Sequence, residues 1–118
     1  MFIKILKSKL HGARVTDAKL NYSGSIAIDS ALMEAAGILP YESVLVADLN
    51  NGNRFETYTV VAEANSGQVV ILGPAARLVK PKDVIVIFAF GYYSPEEARK
   101  VKPKIIVLDK NNKIKNSG

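Results

Sequence analysis

Apolar residues in this chain come in short runs rich in β-branched side chains and broken by polar turns. The runs are Phe2 to Leu10, Ser43 to Leu49, Phe55 to Ala62, Gln68 to Leu72, Asp83 to Phe90 and Lys104 to Leu108. Their lengths predict strands rather than helices. The separators are Asn50-Asn51-Gly52-Asn53, Asn65-Ser66-Gly67 and Asn111-Asn112, with a further break at Pro81-Lys82-Asp83. Asn and Gly tolerate the positive φ that tight turns need, so two of these intervals are expected to be hairpins. Val84 to Phe90 is apolar on both faces, as in a strand buried within a barrel or at a subunit interface.

Helix signals are confined to two places. Asp29 or Ser30 is placed to cap a segment through Met33 and Glu34 that stops at Gly37, with Pro40 soon after. Ser94-Pro95-Glu96-Glu97 has a hydroxyl at the cap, Pro at the first helical position and Glu three residues on, which together spell a capping box. Many short strands with two small helices predict a closed or nearly closed β-barrel that leaves no long edge.

The 118 residues suit one domain, and no linker or repeat divides them. So small a domain has little wall for a deep private pocket, which predicts a site shared between subunits. Hydrophobic residues at 48% and charged residues at 23% are near the average for globular proteins. Cysteine is absent, which excludes disulfides, thiolate metal sites and a cysteine nucleophile. Lysines interrupt the apolar N-terminal stretch, so neither a secretory leader nor a membrane span is expected, and the cytoplasm is the expected location.

The net charge of +5 raises the question of nucleic acid. Residues 1–19 carry five basic groups and one acidic, and residues 99–118 carry seven and one, whereas the stretch between has four basic and nine acidic. The basicity belongs to the ends, and residues 110–118 read as a polar, frayed tail rather than a phosphate-binding arm. A non-enzymatic binding barrel is the alternative to an enzyme, but without Trp and with aromatics at 8% it has few stacking platforms. Neither nucleic acid nor membrane is an expected partner.

Catalytic tools are few. His11 is the sole histidine, so a His-rich metal site is out of reach, and no metal is expected. Neither a GxxxxGK[ST] loop nor a GxGxxG segment occurs. Gly73-Pro74-Ala75-Ala76 is a run of small residues where a ligand could approach backbone N–H groups, or simply a tight turn. Tyr22-Ser23-Gly24-Ser25 is ordinarily a flexible turn. Its chemical alternative is specific: in a strained turn, the Ser25 hydroxyl attacks the carbonyl of Gly24 and converts the peptide to an ester. β-Elimination then cuts the chain and leaves a dehydroalanine, which hydrolyses to a pyruvoyl group with loss of ammonia.

These segments, taken in order, carry a family resemblance. Lys9-Leu10-His11, Val15-Thr16-Asp17-Ala18, Leu20-Asn21-Tyr22-Ser23-Gly24-Ser25, Asn51-Gly52-Asn53-Arg54-Phe55-Glu56-Thr57-Tyr58, Gly73-Pro74-Ala75-Ala76-Arg77 and Asp83-Val84-Ile85-Val86-Ile87 resemble the pyruvoyl-dependent aspartate 1-decarboxylases. The likeness runs from about residue 1 to residue 108. It implies a mainly β fold, a double-psi β-barrel with two or three short helices, assembled as a homotetramer with sites at subunit interfaces. It also implies a proenzyme cut between Gly24 and Ser25 into a β chain, residues 1–24, and an α chain, residues 25–118. The implied reaction is decarboxylation of L-aspartate to β-alanine and CO2 for pantothenate and coenzyme A synthesis. The implied cofactor is the covalent pyruvoyl group made from Ser25, which holds substrate as a Schiff base without metal or pyridoxal phosphate.

The resemblance also implies residue roles. Arg54 would hold a substrate carboxylate through its planar fork, and Tyr58 would donate the proton that replaces CO2. Thr57 would stabilise the Gly24 oxyanion during the acyl shift and touch substrate. Backbone groups of Gly73, Pro74 and Ala75 would bind substrate, Lys9 and His11 would line the pocket, and Tyr22 would pack by the cleavage turn. Three positions depart from the family pattern: Leu72 where Asn is common, Ala47 where the residue is often bulky, and Gly12 where it is often basic. Leu72 removes an amide beside the processing site, which implies slower cleavage or dependence on a maturation factor.

Overall fold

The computed structural model describes residues 1–117. Nine strands form one sheet: β1 (Ile3–Arg14), β2 (Asp17–Lys19), β3 (Ser25–Asp29), β4 (Ser43–Asp48), β5 (Arg54–Ala62), β6 (Val69–Leu72), β7 (Val84–Tyr93), β8 (Lys104–Leu108) and β9 (Ile114–Ser117). They hydrogen-bond in the order β2-β6-β3-β5-β4-β7-β1-β8-β9. Since β1 runs almost directly into β2, the sheet closes on itself as a ring in which β1 and β2 act as one strand. The junction shows how: Val15 N–H donates to Asp83 O ahead of β7 (2.9 Å), and Thr16 N–H donates to Val69 O on β6 (2.8 Å). The fold is therefore a mainly β barrel, with β8 and β9 as an outer flap.

Inward-facing β-branched side chains fill the barrel. Ile26 and Ile28 on β3, Val44 and Val46 on β4, Val69 and Ile71 on β6, and Ile85, Ile87 and Ala89 on β7 all point inward and are buried. Helix α1 (Ser30–Ala36) plugs one end with Leu32, Met33 and Ala36. Its cap is Asp29 and its stop is Gly37 at φ 68°, as expected for a left-handed C-terminal residue. The short helix α2 (Pro95–Ala98) carries the full reciprocal capping box between Ser94 and Glu97.

The β4–β5 and β8–β9 connections are hairpins. The Asn65-Ser66-Gly67 turn is not, because β5 and β6 lie on opposite sides of β3. Strands β2 and β3 fall where the sequence showed only polar or short apolar residues, since their pairing is with distant segments. The expected fraying of residues 110–118 is corrected over the described residues. Asn112 is buried and β9 pairs with β8, because the Asn112 amide finds three backbone partners; Gly118 lies outside the described residues. No helix among the described residues is long and apolar enough to cross a membrane.

Candidate functional site

Two clusters gather the residues singled out by sequence. The first surrounds the Gly24–Ser25 peptide. Ser25 opens β3, is 8% exposed, and stands opposite Leu72 in the antiparallel β3–β6 register. The turn before it is exposed from Leu20 to Ser23 and half-buried at Gly24, and is tightened by a Tyr22 N–H to Leu20 O bond of 2.9 Å. Gly24 has φ 132° and Gly73 has φ 90° with ψ −157°, a region open almost only to glycine. Gly73 is pressed onto the turn: a Cβ there would lie 2.6 Å from Gly24 Cα, 2.7 Å from Gly24 N and 2.9 Å from Tyr22 O. Its N–H donates to Lys19 O (2.8 Å), which ties the contact to β2. Pro74, which has no N–H to offer, starts the 3₁₀ turn Pro74–Arg77, and a Cβ on Gly24 would meet its Cδ at an ordinary 4.0 Å.

Tyr58 belongs to this cluster by register. Strand β3 runs parallel to β5 with Ile26 beside Thr59, which puts Ser25 level with Tyr58. Tyr58 is 40% exposed, and its ring lies 6.4 Å from that of Tyr41. Thr57 is its chain neighbour and so faces the other side of the strand, opposite Val44. Among the described residues no hydrogen bond joins Thr57 to Gly24. Tyr22 is exposed over the same turn.

The second cluster lies on the outer face of the β5-β4-β7-β1 sheet. Register rows run His11–Val86–Ala47–Arg54 and, next to it, Lys9–Phe88–Leu45–Glu56. The Lys9 ammonium and the Arg54 guanidinium both lie 5.9 Å from the centroid of Phe88, so one ring carries two cations. Ala47, directly opposite Arg54, leaves the guanidinium room to fold over that ring. Neither cation has a carboxylate partner among the described residues, which leaves both free for an anion. His11 is half-buried in the same row, and its Nδ1 is buried without a hydrogen-bond partner. The face continues into a cleft lined by Lys4, Ser43, Glu56, Phe90 and Tyr92, with Lys4 Nζ 4.7 Å over Phe90.

Arg54 and Tyr58 share the outward face of β5 but stand four residues apart, about 13 Å along a strand. One chain thus holds the cation pair and the Gly24–Ser25 turn as separate clusters on one sheet. The departures have local reasons: Gly12 sits at a β-bulge with φ 84°, where a side chain would be strained, and its Cβ would lie 3.3 Å from Leu108 O. Leu72 flanks Ser25 with no polar atom to offer.

Sequence reasoning missed the loop that joins the two clusters. Asp48, buried at the end of β4, starts it by accepting from Asn50 N–H (2.7 Å). Burial and the neighbouring Asp83 carboxyl push the Asp48 acid above the ordinary carboxylate range, against partial relief from the Asn50 and Asn51 N–H groups. Asn51 and Asn53 then cross to the segment after the 3₁₀ turn, both donating to Leu78 O, at 3.0 and 2.9 Å. The Asn-rich string was readable as turn chemistry, but its distant acceptor was not.

Among the described residues no group of three or more His, Cys, Asp or Glu could hold a metal ion. Comparison with known proteins shows the family. The aspartate decarboxylase family model matches residues 1–115. A protein named aspartate 1-decarboxylase from Acetivibrio thermocellus is 53% identical over 116 residues, covering 98% of this chain and 92% of that one. Proteins of the same name from Moorella thermoacetica (56% over 110 residues, 93% and 86% covered) and Salinibacter ruber (47% over 114 residues, 97% and 78% covered) are similar along nearly the whole chain. With the family motifs on a barrel that packs Gly73 against the Gly24–Ser25 turn, the chain belongs to the aspartate decarboxylase family.

Proposed function

We propose that this protein decarboxylates L-aspartate to β-alanine and CO2, the step that supplies β-alanine for pantothenate, after cutting its own backbone between Gly24 and Ser25. The observation that carries the cleavage is the contact of Gly73 with Gly24, which holds a glycine-only conformation on the residue whose carbonyl must be attacked. The Ser25 hydroxyl adds to that carbonyl, the peptide nitrogen leaves as the amine of the new ester, and elimination frees residues 1–24. The developing oxyanion falls to Thr57 by family resemblance, although its side chain here faces away from Tyr58 on β5 and makes no bond to Gly24. The site fits the pyruvoyl group that results: Ser25 is nearly enclosed at a strand start, and a Cβ on Gly73 would fill the space against Gly24.

When present, the pyruvoyl group supplies an electron sink for the pair left as CO2 departs. The remaining work falls to side chains. Arg54 binds a substrate carboxylate by two parallel hydrogen bonds, and Lys9 adds a second positive charge over the same Phe88 ring. The shared aromatic floor fixes both without neutralising either. Tyr58, level with Ser25, hands a proton to the carbon that loses CO2; its phenol is a weak acid, suited to a strongly basic centre. Backbone groups of Gly73 and Ala75, with the Pro74 carbonyl, bound the substrate, while Tyr22 closes over the turn and His11 borders the cation pair.

The two clusters stand apart on one open face, and a homotetramer in which each site combines parts of neighbouring subunits would bring them together. The chain works in the cytoplasm. Intact mass tests the reading: purified protein should resolve into residues 1–24 and a pyruvoyl-headed 25–118, and should release β-alanine from aspartate. Ser25→Ala should stay whole and inactive. A wild-type chain that stays uncut and inactive after prolonged incubation overturns the reading, and cleavage seen only in a cell extract assigns a maturation factor.

A further inference from the structure

The Asn51-Gly52-Asn53 hairpin reaches across the barrel instead of simply reversing the chain. Its two carboxamides converge on one acceptor, the carbonyl of Leu78, at 3.0 Å from Asn51 Nδ2 and 2.9 Å from Asn53 Nδ2. The hairpin itself is rigid: Asn53 N–H donates to Asn51 Oδ1 (2.8 Å), Gly52 N–H to Asp48 O (2.9 Å), and Val84 N–H to Asn50 Oδ1 (2.8 Å). The acceptor end is equally connected. Leu78 N–H donates to Ala75 O (2.9 Å), Ala76 N–H to Gly73 O (2.9 Å), and Gly73 lies on Gly24. An unbroken chain of short contacts therefore runs from the residue beside Arg54 to the peptide that is cut.

We infer that Asn51 and Asn53 are positioning residues, a paired carboxamide clamp that fixes the Gly73–Leu78 segment relative to Arg54. The clamp sets the register between the anion-binding cations and the backbone that bounds the substrate. Two donors on one carbonyl make it redundant: either amide alone holds Leu78, and only loss of both frees the segment. Neither amide touches the reacting atoms, so the clamp acts on substrate binding and on the speed of cleavage more than on the chemical step. The inference rests on the proposed reading of Arg54 and of Gly73–Ala75 as substrate contacts.

The redundancy supplies the test. Asn51→Ala, Asn53→Ala and the double variant are compared with wild type for extent of cleavage by intact mass, for KM and kcat per cleaved subunit, and for thermal midpoint. Each single variant should stay within about twofold of wild type, while the double variant should raise KM about tenfold with kcat within about threefold and cut more slowly, a non-additive pattern that residues sharing one partner produce. Should the double alanine chain fail to fold, N51S/N53S keeps turn-forming hydroxyls too short to reach Leu78 and carries the same comparison. A double variant with wild-type KM and cleavage, additive singles, or losses that merely follow the thermal midpoint overturn the clamp. An uncut and inactive wild type overturns the parent reading first and takes the clamp with it.

Discussion

Gly73 has no room for a side chain, and its backbone occupies a conformation that excludes one. Both constraints come from the same neighbour, since a Cβ would sit 2.6 Å from Gly24 Cα, where only backbone could yield. Gly73→Ala should therefore displace the cleavage turn: intact mass over time should show self-cleavage slowed by at least about tenfold, with the barrel still folded. A Gly73→Ala chain that cuts at the wild-type rate would show that the packing of Gly24 is irrelevant to the acyl shift. From sequence, Gly73 was the first of a run of small residues and, by resemblance, a substrate-binding backbone; its contact with Gly24 was hidden because the two lie far apart along the chain. The residues around Ser25 read by themselves as a flexible turn, and only the family resemblance implies a nucleophile there. The joint seat of Lys9 and Arg54 on Phe88 was not legible, since it depends on the register of three inter-strand pairings.

At the scale of elements, the local signals were reliable where the chain satisfies its own backbone. The capping box at Ser94 and the Asp29 to Gly37 helix needed no distant partner, and both formed as written. Strands β2 and β3 were obscure because parallel and crossover pairing supplies their hydrogen bonds from far along the chain. Asp29 joins both kinds of signal. Burial alone would raise its pKa, but hydrogen bonds from Gly67, Asn65 and Ala31 N–H groups outweigh it and hold the carboxyl below the ordinary range, helped by Lys113. A depressed folded value means stability that is present above the unfolded value, about 3.9, and is lost as pH falls through the folded one. Asn at this position keeps the Oδ1 acceptor but turns an N–H donor toward Gly67 N–H. Asp29→Asn should cost about 2 kcal/mol at pH 7, and the gap to wild type should narrow as pH falls below about 4, read from denaturation at a series of pH values. A gap that does not change with pH would assign the loss to shape rather than charge.

The molecule as a whole depends on a few side chains that join segments the ring alone would leave apart. Thr16 does so at the β1–β2 switch, where its hydroxyl is within 3.0 Å of both Val69 N and Val69 O. Asn112 does so for the C-terminal hairpin. Its Oδ1 accepts from Arg14 N–H (2.7 Å), and its Nδ2 donates to Arg14 O (2.9 Å) and Gly67 O (2.8 Å). One amide thus pins the flap to the end of β1 and to the turn that also holds Asp29. Composition called the last residues a solvated tail because seven basic groups dominate 99–118, yet the burial of one Asn decides the matter. Asn112→Ala would remove the side-chain partner of one buried carbonyl, Gly67 O, and of the half-buried Arg14 N–H and O, and keep a left-handed φ of 58° without the polar side chain that favours it. The expected cost is about 2–4 kcal/mol, and at fixed protein concentration it should appear as a lower unfolding midpoint. Since the flap lies outside the strands bearing Ser25, Arg54 and Tyr58, cleavage of the folded variant should proceed at close to the wild-type rate. If Asn112→Ala instead left stability unchanged and slowed cleavage, the flap would belong to the processing machinery rather than to the frame that carries it.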